Sequence, residues 1–285
     1  MSAKEDAKLP ELPEKFPHIF TEVVFQLIPE VNYNDLVYLS QLVKSRRQQS
    51  IYRPLIDALR KIQWTKLAGL EAIAFEKDIE KYVGQEQEAI IPFRPLGQVQ
   101  HAKAIFEFIV NIKSVLDAMA VFLTGLLSIS AQGGARDFKR RKFCEQVIQR
   151  DAVIGQHVMS LEHWFSDVQA RRDKWIHRTS TTIFIALPLG EIGLLPIPKK
   201  VTEDSEVVAD VPPTKDHYWT TPEFIELHFN KLVSLFSLIV TRCIEIELPK
   251  TGEPPPYPQE AQYPIMAFPF RVIKDMKTKG IRVRW

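Results

Sequence analysis

The sequence HVMSLEHWFSDVQARRDKWIHR, residues 157–178, combines a helical pattern with a dense group of cations. Its apolar residues recur at a helical period, which predicts a helix packed against a core. The same period continues onto Arg172, where it would place an apolar side chain. A buried guanidinium destabilises a fold unless it is paired or faces a polar cavity. His177 follows five residues later, about 140° around an ideal helix, and a helix end near Ile176 would let both side chains face one point.

Composition and charge describe an ordinary globular chain. Its 285 residues are 45% hydrophobic and 25% charged, and the formal net charge is only +2. Any attraction to nucleic acid must therefore come from local clusters of cations. The two cysteines, Cys144 and Cys243, lie far apart in helical contexts. They indicate buried thiols in a reducing compartment, so we expect a cytoplasmic protein.

Several classes of segment and site are not expected from this sequence. Residues 1–17 lack the apolar stretch of a signal peptide, and the most apolar segments, 105–127 and 232–248, carry charges that argue against a membrane span. The histidines and cysteines show no metal-ligand spacing, and no glycine-rich phosphate loop is present. We therefore expect neither a membrane anchor nor a metal or other cofactor.

Helical periodicity, interrupted by prolines and glycines, predicts a mainly α fold with one β-hairpin inserted before the last long helix. Four regions are expected: an extended proline-containing arm (1–30), an N-terminal helical region (31–95), a helical bundle (96–247) and a proline-rich, basic tail (248–285). The break between the second and third regions is predicted at Gly84, Pro92, Pro95 and Gly97.

Individual elements follow from caps and spacing. In the N-terminal region, helices are expected from Asn34 to Arg46 and from Pro54 onward, with a clear period over 68–82. In the bundle, helices are expected over 98–128, over 138–148, from about His157, and from Thr221, as cap, to about Glu247. Alternating residues predict a hairpin over 181–200 with its turn near Gly190, followed by a polar loop to residue 219.

Residues 172–177, RDKWIH, resemble the signature of the HEPN superfamily, which has an arginine, a polar residue, and a histidine after four to six intervening positions. The pattern recurs at Arg94–His101 and at Arg150–His157. The match at residues 172–177 stands at the end of a predicted bundle helix, after a long helix that bears the acidic Asp117. Arg171 also fits the spacing, so the sequence leaves open which arginine belongs to the motif.

The resemblance covers roughly residues 96–247 and implies an antiparallel helical bundle that forms a homodimer. Many HEPN proteins are metal-independent endoribonucleases whose sites form where the motifs of two protomers meet. By this resemblance, His177 would be the acid/base and Arg172 the phosphate clamp. Supporting roles would fall to Asp117 and Asp173, which orient the pair, and to Arg171, Lys174 and Arg178, which grip the RNA backbone. Roles in toxin–antitoxin systems and antiviral defence are typical of the family, so an antitoxin or regulatory protein is a further expected partner.

Two other interpretations remain open. Some HEPN domains are non-catalytic interaction modules, and this chain would then bind a partner protein or a nucleotide. Alternatively, Trp175 and Ile176 anchor a helix end, and His177 and Arg178 are favourable charges at its C-terminal dipole. RNA cleavage by the wild-type chain, and its loss in a His177 variant, would separate these interpretations.

Overall fold

Helices dominate the described part of the chain, which confirms the mainly α prediction. The computed structural model describes residues 31–44, 49–83, 95–129, 136–177, 197–199, 216, 218–250 and 252–257. The helices in these ranges are α1 (Tyr33–Lys44), α2 (Gln49–Val83), α3 (Pro95–Leu126), α4 (Arg141–Arg150), α5 (Ala152–Ser160), α6 (Glu162–His177) and α7 (Thr221–Glu247). The predicted arm over 1–30 and the tail beyond residue 257 lie outside the described residues, as do Gly84 and Pro92 of the predicted break. Pro95 and Gly97 do not break the chain, because α3 begins at Pro95 and contains both.

The two longest helices, α2 and α3, lie side by side and run antiparallel. Three contacts along them pair residues in opposite chain order: Tyr52 with Phe122, Lys61 with Ser114, and Gly69 with Phe108. At Gly69, a Cβ atom would lie only 2.8 Å from the Ile225 side chain of α7. The missing side chain therefore allows α2, α3 and α7 to meet closely, and buried residues of all three helices form one core.

Several helix boundaries differ from the sequence prediction. Helix α1 begins at Tyr33, so Asn34 lies inside it and does not cap it, and α4 spans Arg141–Arg150 rather than 138–148. Pro54 does not open α2 but lies inside it, since the helix begins at Gln49. The predicted helix from His157 is divided, because α5 ends at Ser160 and α6 begins at Glu162, with Leu161 as the C-cap of α5. Asp151 fixes the start of α5 by accepting a hydrogen bond from the Ile154 amide at 2.9 Å.

The strand pair also differs from the prediction. Strand β1 (Ile197–Pro198) pairs antiparallel with β2 (Tyr218–Trp219), so the end of the predicted polar loop is a strand. Residues 181–196, which include the predicted turn near Gly190, lie outside the described residues. The cap of α7 is Thr220 rather than Thr221, and it forms a reciprocal pair of hydrogen bonds with Glu223.

The position of β1 and β2 brings the end of β1 against the last turns of α6. Lys199, directly after β1, places its ammonium 4.3 Å from the ring centre of Trp219. Within the described ranges, no helix is both long and apolar enough to cross a membrane.

Candidate functional site

A buried polar cluster lies between α6, α7 and strand β1, and Arg171 is at its centre. The Arg171 side chain is only 2% exposed. Its Nε donates to Asp167 Oδ2 at 2.9 Å, and its Nη2 donates to two carbonyl oxygens, of Pro198 at 2.8 Å and Lys199 at 3.1 Å. The guanidinium carbon also lies 5.1 Å from the ring centre of Phe224. Arg171 therefore links one helix, one strand and one aromatic ring, which is the arrangement of a structural cation.

His228 on α7 completes this cluster. The Trp164 indole donates to His228 Nδ1 at 2.8 Å. An indole N–H is only a donor, so the neutral ring carries its proton on Nε2, which faces Asp167 Oδ2 at 3.7 Å. Burial, together with the positive charges of Arg171 and Lys231, lowers the pKa of His228 to about 3. The nearby Asp167 carboxylate does not reverse this shift, and the ring is neutral at neutral pH.

A second buried histidine, His101 of α3, lies beside the first residue of α7. His101 Nε2 is 3.0 Å from the hydroxyl oxygen of Thr221, and burial lowers the pKa of this imidazole to about 4. Thr221 therefore contacts α3 instead of capping α7. Both histidines are neutral in the folded protein over a pH range in which an unfolded histidine becomes charged.

We expect stability to fall as the solution is acidified below pH 6.5. The unfolded chain binds protons at His101 and His228 near pH 6.5, whereas the folded chain does not until about pH 4 and pH 3. Each histidine should then lower the free energy of unfolding by up to about 1.4 kcal/mol per pH unit. Urea titrations between pH 7 and 5 measure this slope, and His228→Gln, whose amide oxygen can accept the Trp164 proton, should reduce it. An unchanged slope in His228→Gln would contradict the prediction, and His163→Gln, at an exposed site on α6, is the matched control.

Arg172 lies in a different environment from Arg171. Its side chain is 38% exposed, and its Nη1 donates to Asp173 Oδ1 at 3.1 Å. Asp173 is in turn held by the Gln169 amide, which lies 2.7 Å from each carboxylate oxygen. The expectation that Arg172 lies on the buried stripe of its helix is therefore wrong, and Arg171 occupies that position.

Arg171 and Arg172 differ in burial because they face different tertiary contacts. Each arginine follows a buried aromatic residue by seven positions, Arg171 following Trp164 and Arg172 following Phe165. On the Trp164 side of α6, a ring of α7 and a carbonyl group of β1 both contact Arg171. On the Phe165 side, the Phe138 ring stacks on Phe165 at 5.2 Å, and Arg172 extends beyond this contact into partial exposure.

The other predicted site residues are not all brought together. Asp117 is 51% exposed on α3 and forms an ion pair with Lys113 of the same helix, rather than with either arginine. Lys174 is partly exposed on α6. His177 is the last residue of α6, but its side chain and all of Arg178 lie outside the described residues.

The backbone alone sets the separation of Arg172 and His177. Because α6 continues through His177, their Cα atoms are about 7.5 Å apart along the helix axis and about 140° apart around it. The helix ends at His177, one residue beyond the end predicted near Ile176, so the helical backbone still sets this separation. Among the described residues, no group of three or more His, Cys, Asp or Glu is placed to hold a metal ion.

Sequence reasoning missed Asp167 and His228. A signal for each was present, since Trp164, Asp167 and Arg171 follow one face of α6, and His228 lies four residues after the buried Phe224. No family model, curated protein or solved structure matches this chain. A function for it therefore has to be inferred from the residues and their geometry.

Proposed function

We propose that this protein is a metal-independent endoribonuclease of the HEPN type, with Arg172 as its phosphate clamp and His177 as its acid/base. The observation that carries the proposal is the difference in hydrogen bonding and exposure between the two neighbouring arginines. The buried Arg171 already donates to three oxygens of the protein, whereas Arg172 is partly exposed and donates to one carboxylate. Arg172 is therefore the arginine with donors available to a phosphate.

The proposed reaction uses the nucleophile that RNA itself supplies. His177 would remove the proton of a 2′-hydroxyl, whose oxygen then forms a bond to the adjacent phosphorus as the bond to the 5′-oxygen breaks. The leaving 5′-oxygen takes up a proton from water, His177 returns its proton to the solvent, and the other fragment ends in a 2′,3′-cyclic phosphate. Arg172 would stabilise the negative charge that grows on the phosphoryl oxygens, while Asp173 holds its guanidinium in place.

A basic surface supports the choice of RNA as substrate. The segment before α4 and its first residues carry five exposed cations: Arg136, Lys139, Arg140, Arg141 and Lys142. Phe138 joins this segment to α6 through its stack on Phe165, which lies on the same side of α6 as Arg172. An RNA strand that crosses this surface would gain affinity because its phosphates release counterions to the solvent. Lys174 and Arg178 would contribute further contacts with phosphate. The substrate would be met in the cytoplasm, where a toxin or antiviral effector with an antitoxin or regulatory partner would act.

A cleavage assay tests this function directly. Purified wild-type protein is incubated with a mixture of end-labelled RNAs in the presence and absence of EDTA. We expect cleavage at equal rates in both, and mass spectrometry should find 2′,3′-cyclic phosphate ends. Fragments that carry 3′-hydroxyl ends, or cleavage that stops in EDTA, would contradict the proposed chemistry.

A non-catalytic interaction module is the second candidate. The observation that favours it is the pairing of Asp117 with Lys113, because the acidic residue of the long helix then does not orient Arg172, as the catalytic reading of the resemblance expects. In that case the protein would bind RNA, a nucleotide or a partner protein without cutting RNA. If expression of the protein harms a host cell, the harm should then persist in a His177→Ala variant, whereas the nuclease proposal expects it to disappear.

A further inference from the structure

The outer face of α2 carries an exposed row of residues that the rest of the described chain leaves uncovered. The row follows the alternating three- and four-residue spacing of a coiled-coil seam, and its members are Arg53, Asp57, Arg60, Trp64, Leu67, Glu71, Ala74 and Asp78. Other sides of the helix are buried, as at Leu59 and Ile62, and α2 contacts α3 through Tyr52 and Gly69. We call these eight positions the α2 row.

The middle of the α2 row is apolar. Trp64 is 55% exposed and Leu67 is 44% exposed, and the exposed Ile56 and Leu70 flank them. Isolated apolar residues on a surface are ordinary, but four large ones along one face of a helix indicate an interaction surface. Their spacing predicts that the partner on this surface is another helix.

The charges of the α2 row identify the kind of partner. Both arginines, Arg53 and Arg60, lie before the apolar centre, and the acidic Glu71 and Asp78 lie after it. A two-fold axis between residues 65 and 66 would place Trp64 opposite Leu67 of a second copy. The same axis places Arg60 opposite Glu71 and Arg53 opposite Asp78, so every charge at these four positions meets an opposite one.

We infer that the α2 row is a homodimer interface in which α2 packs antiparallel against α2 of a second copy. A parallel pair would instead place Arg60 against Arg60 and Glu71 against Glu71, which repel. Among the residues that the structure describes, Arg60 forms an ion pair with Asp57 at 4.0 Å, and both side chains are about half exposed. This contact is weak enough for Arg60 to exchange it for a partner across the axis.

This interface is separate from the proposed nuclease site. The α2 row precedes the segment that resembles the HEPN superfamily, and it contains neither Arg172 nor His177. The inference therefore stands or falls independently of RNA cleavage. It gives the N-terminal helical region a role as the contact between two protomers.

Charge reversal tests both the partner and the direction of the pairing. Sedimentation equilibrium of the wild-type protein should give a dimer. Arg60→Glu and Glu71→Arg should each raise its dissociation constant at least about tenfold, because each places two like-charged pairs across the axis. An equimolar mixture of the two variants should form a heterodimer of nearly wild-type affinity, since both pairs are then opposite in charge. Arg141→Glu, which changes an exposed arginine on α4, is the matched control and should leave the constant unchanged.

Three outcomes would overturn the inference, given that circular dichroism shows every variant to be folded. A wild-type protein that is monomeric at about 100 μM would leave the α2 row to a different partner. A dimer that Arg60→Glu and Leu67→Asp leave intact would use a different surface. Failure of the mixed variants to associate would exclude the antiparallel register.

Discussion

Replacing Arg171 by alanine is expected to lower the free energy of unfolding by about 3–5 kcal/mol. The substitution removes the donor of three hydrogen bonds inside the protein. The carbonyl oxygens of Pro198 and Lys199 lose their partner, and the Asp167 carboxylate loses its counter-ion. Polar groups left unpaired in a buried site are among the few causes of so large a loss.

Chemical denaturation of matched variants measures this effect. Arg171→Lys should retain part of the stability, because an ammonium supplies the charge but not the planar fork that bonds Asp167 and the two carbonyls together. Arg141→Ala is the control for losing an arginine in an i,i+4 ion pair at the surface, where the side chain is 74% exposed. We expect that control to change the free energy of unfolding by less than about 1 kcal/mol. Equal stability of Arg171→Ala and Arg141→Ala would refute the structural role given to Arg171.

The long helices could be predicted from the sequence because their signals are local. The predicted helix over 98–128 corresponds to α3, and the helix predicted from Thr221 to Glu247 corresponds to α7. Apolar residues recur along both without interruption, and Thr220, Pro222 and Glu223 mark the start of α7. The break at Leu161 could not be predicted in this way, since no proline or glycine lies there.

The candidate site was less predictable because burial depends on distant residues. Arg171 and Arg172 are neighbours with the same charge and equivalent positions after Trp164 and Phe165. Arg171 is the buried one because distant residues cover it: the carbonyls of Pro198 and Lys199, almost thirty residues further along the chain, and the Phe224 ring of α7. The pairing of β1 with β2 is likewise a contact between residues about twenty positions apart, for which the alternating pattern gives no register.

The largest functional effect is expected from the proposed catalytic pair. Arg172→Ala and His177→Ala should each slow RNA cleavage by about 10²–10⁴-fold, because one loses the charge that stabilises the phosphoryl oxygens and the other loses the acid/base. Neither change should disturb the buried cluster around Arg171. Arg172→Ala should therefore change the free energy of unfolding by less than about 0.5 kcal/mol, since its side chain is partly exposed and has one carboxylate partner.

Single-turnover cleavage rates, measured in EDTA, separate these variants from matched controls. Arg150→Ala changes an exposed arginine at the end of α4 and should cut RNA like the wild type. Arg172→Lys should cut more slowly than the wild type but faster than Arg172→Ala, because an ammonium supplies the charge without the two-pronged grip on phosphate. If Arg172→Ala keeps the wild-type rate while an equally folded Arg171→Lys loses it, the clamp is Arg171, and the buried cluster is catalytic as well as structural. If both histidine and arginine variants keep the wild-type rate, the nuclease site lies elsewhere in the chain.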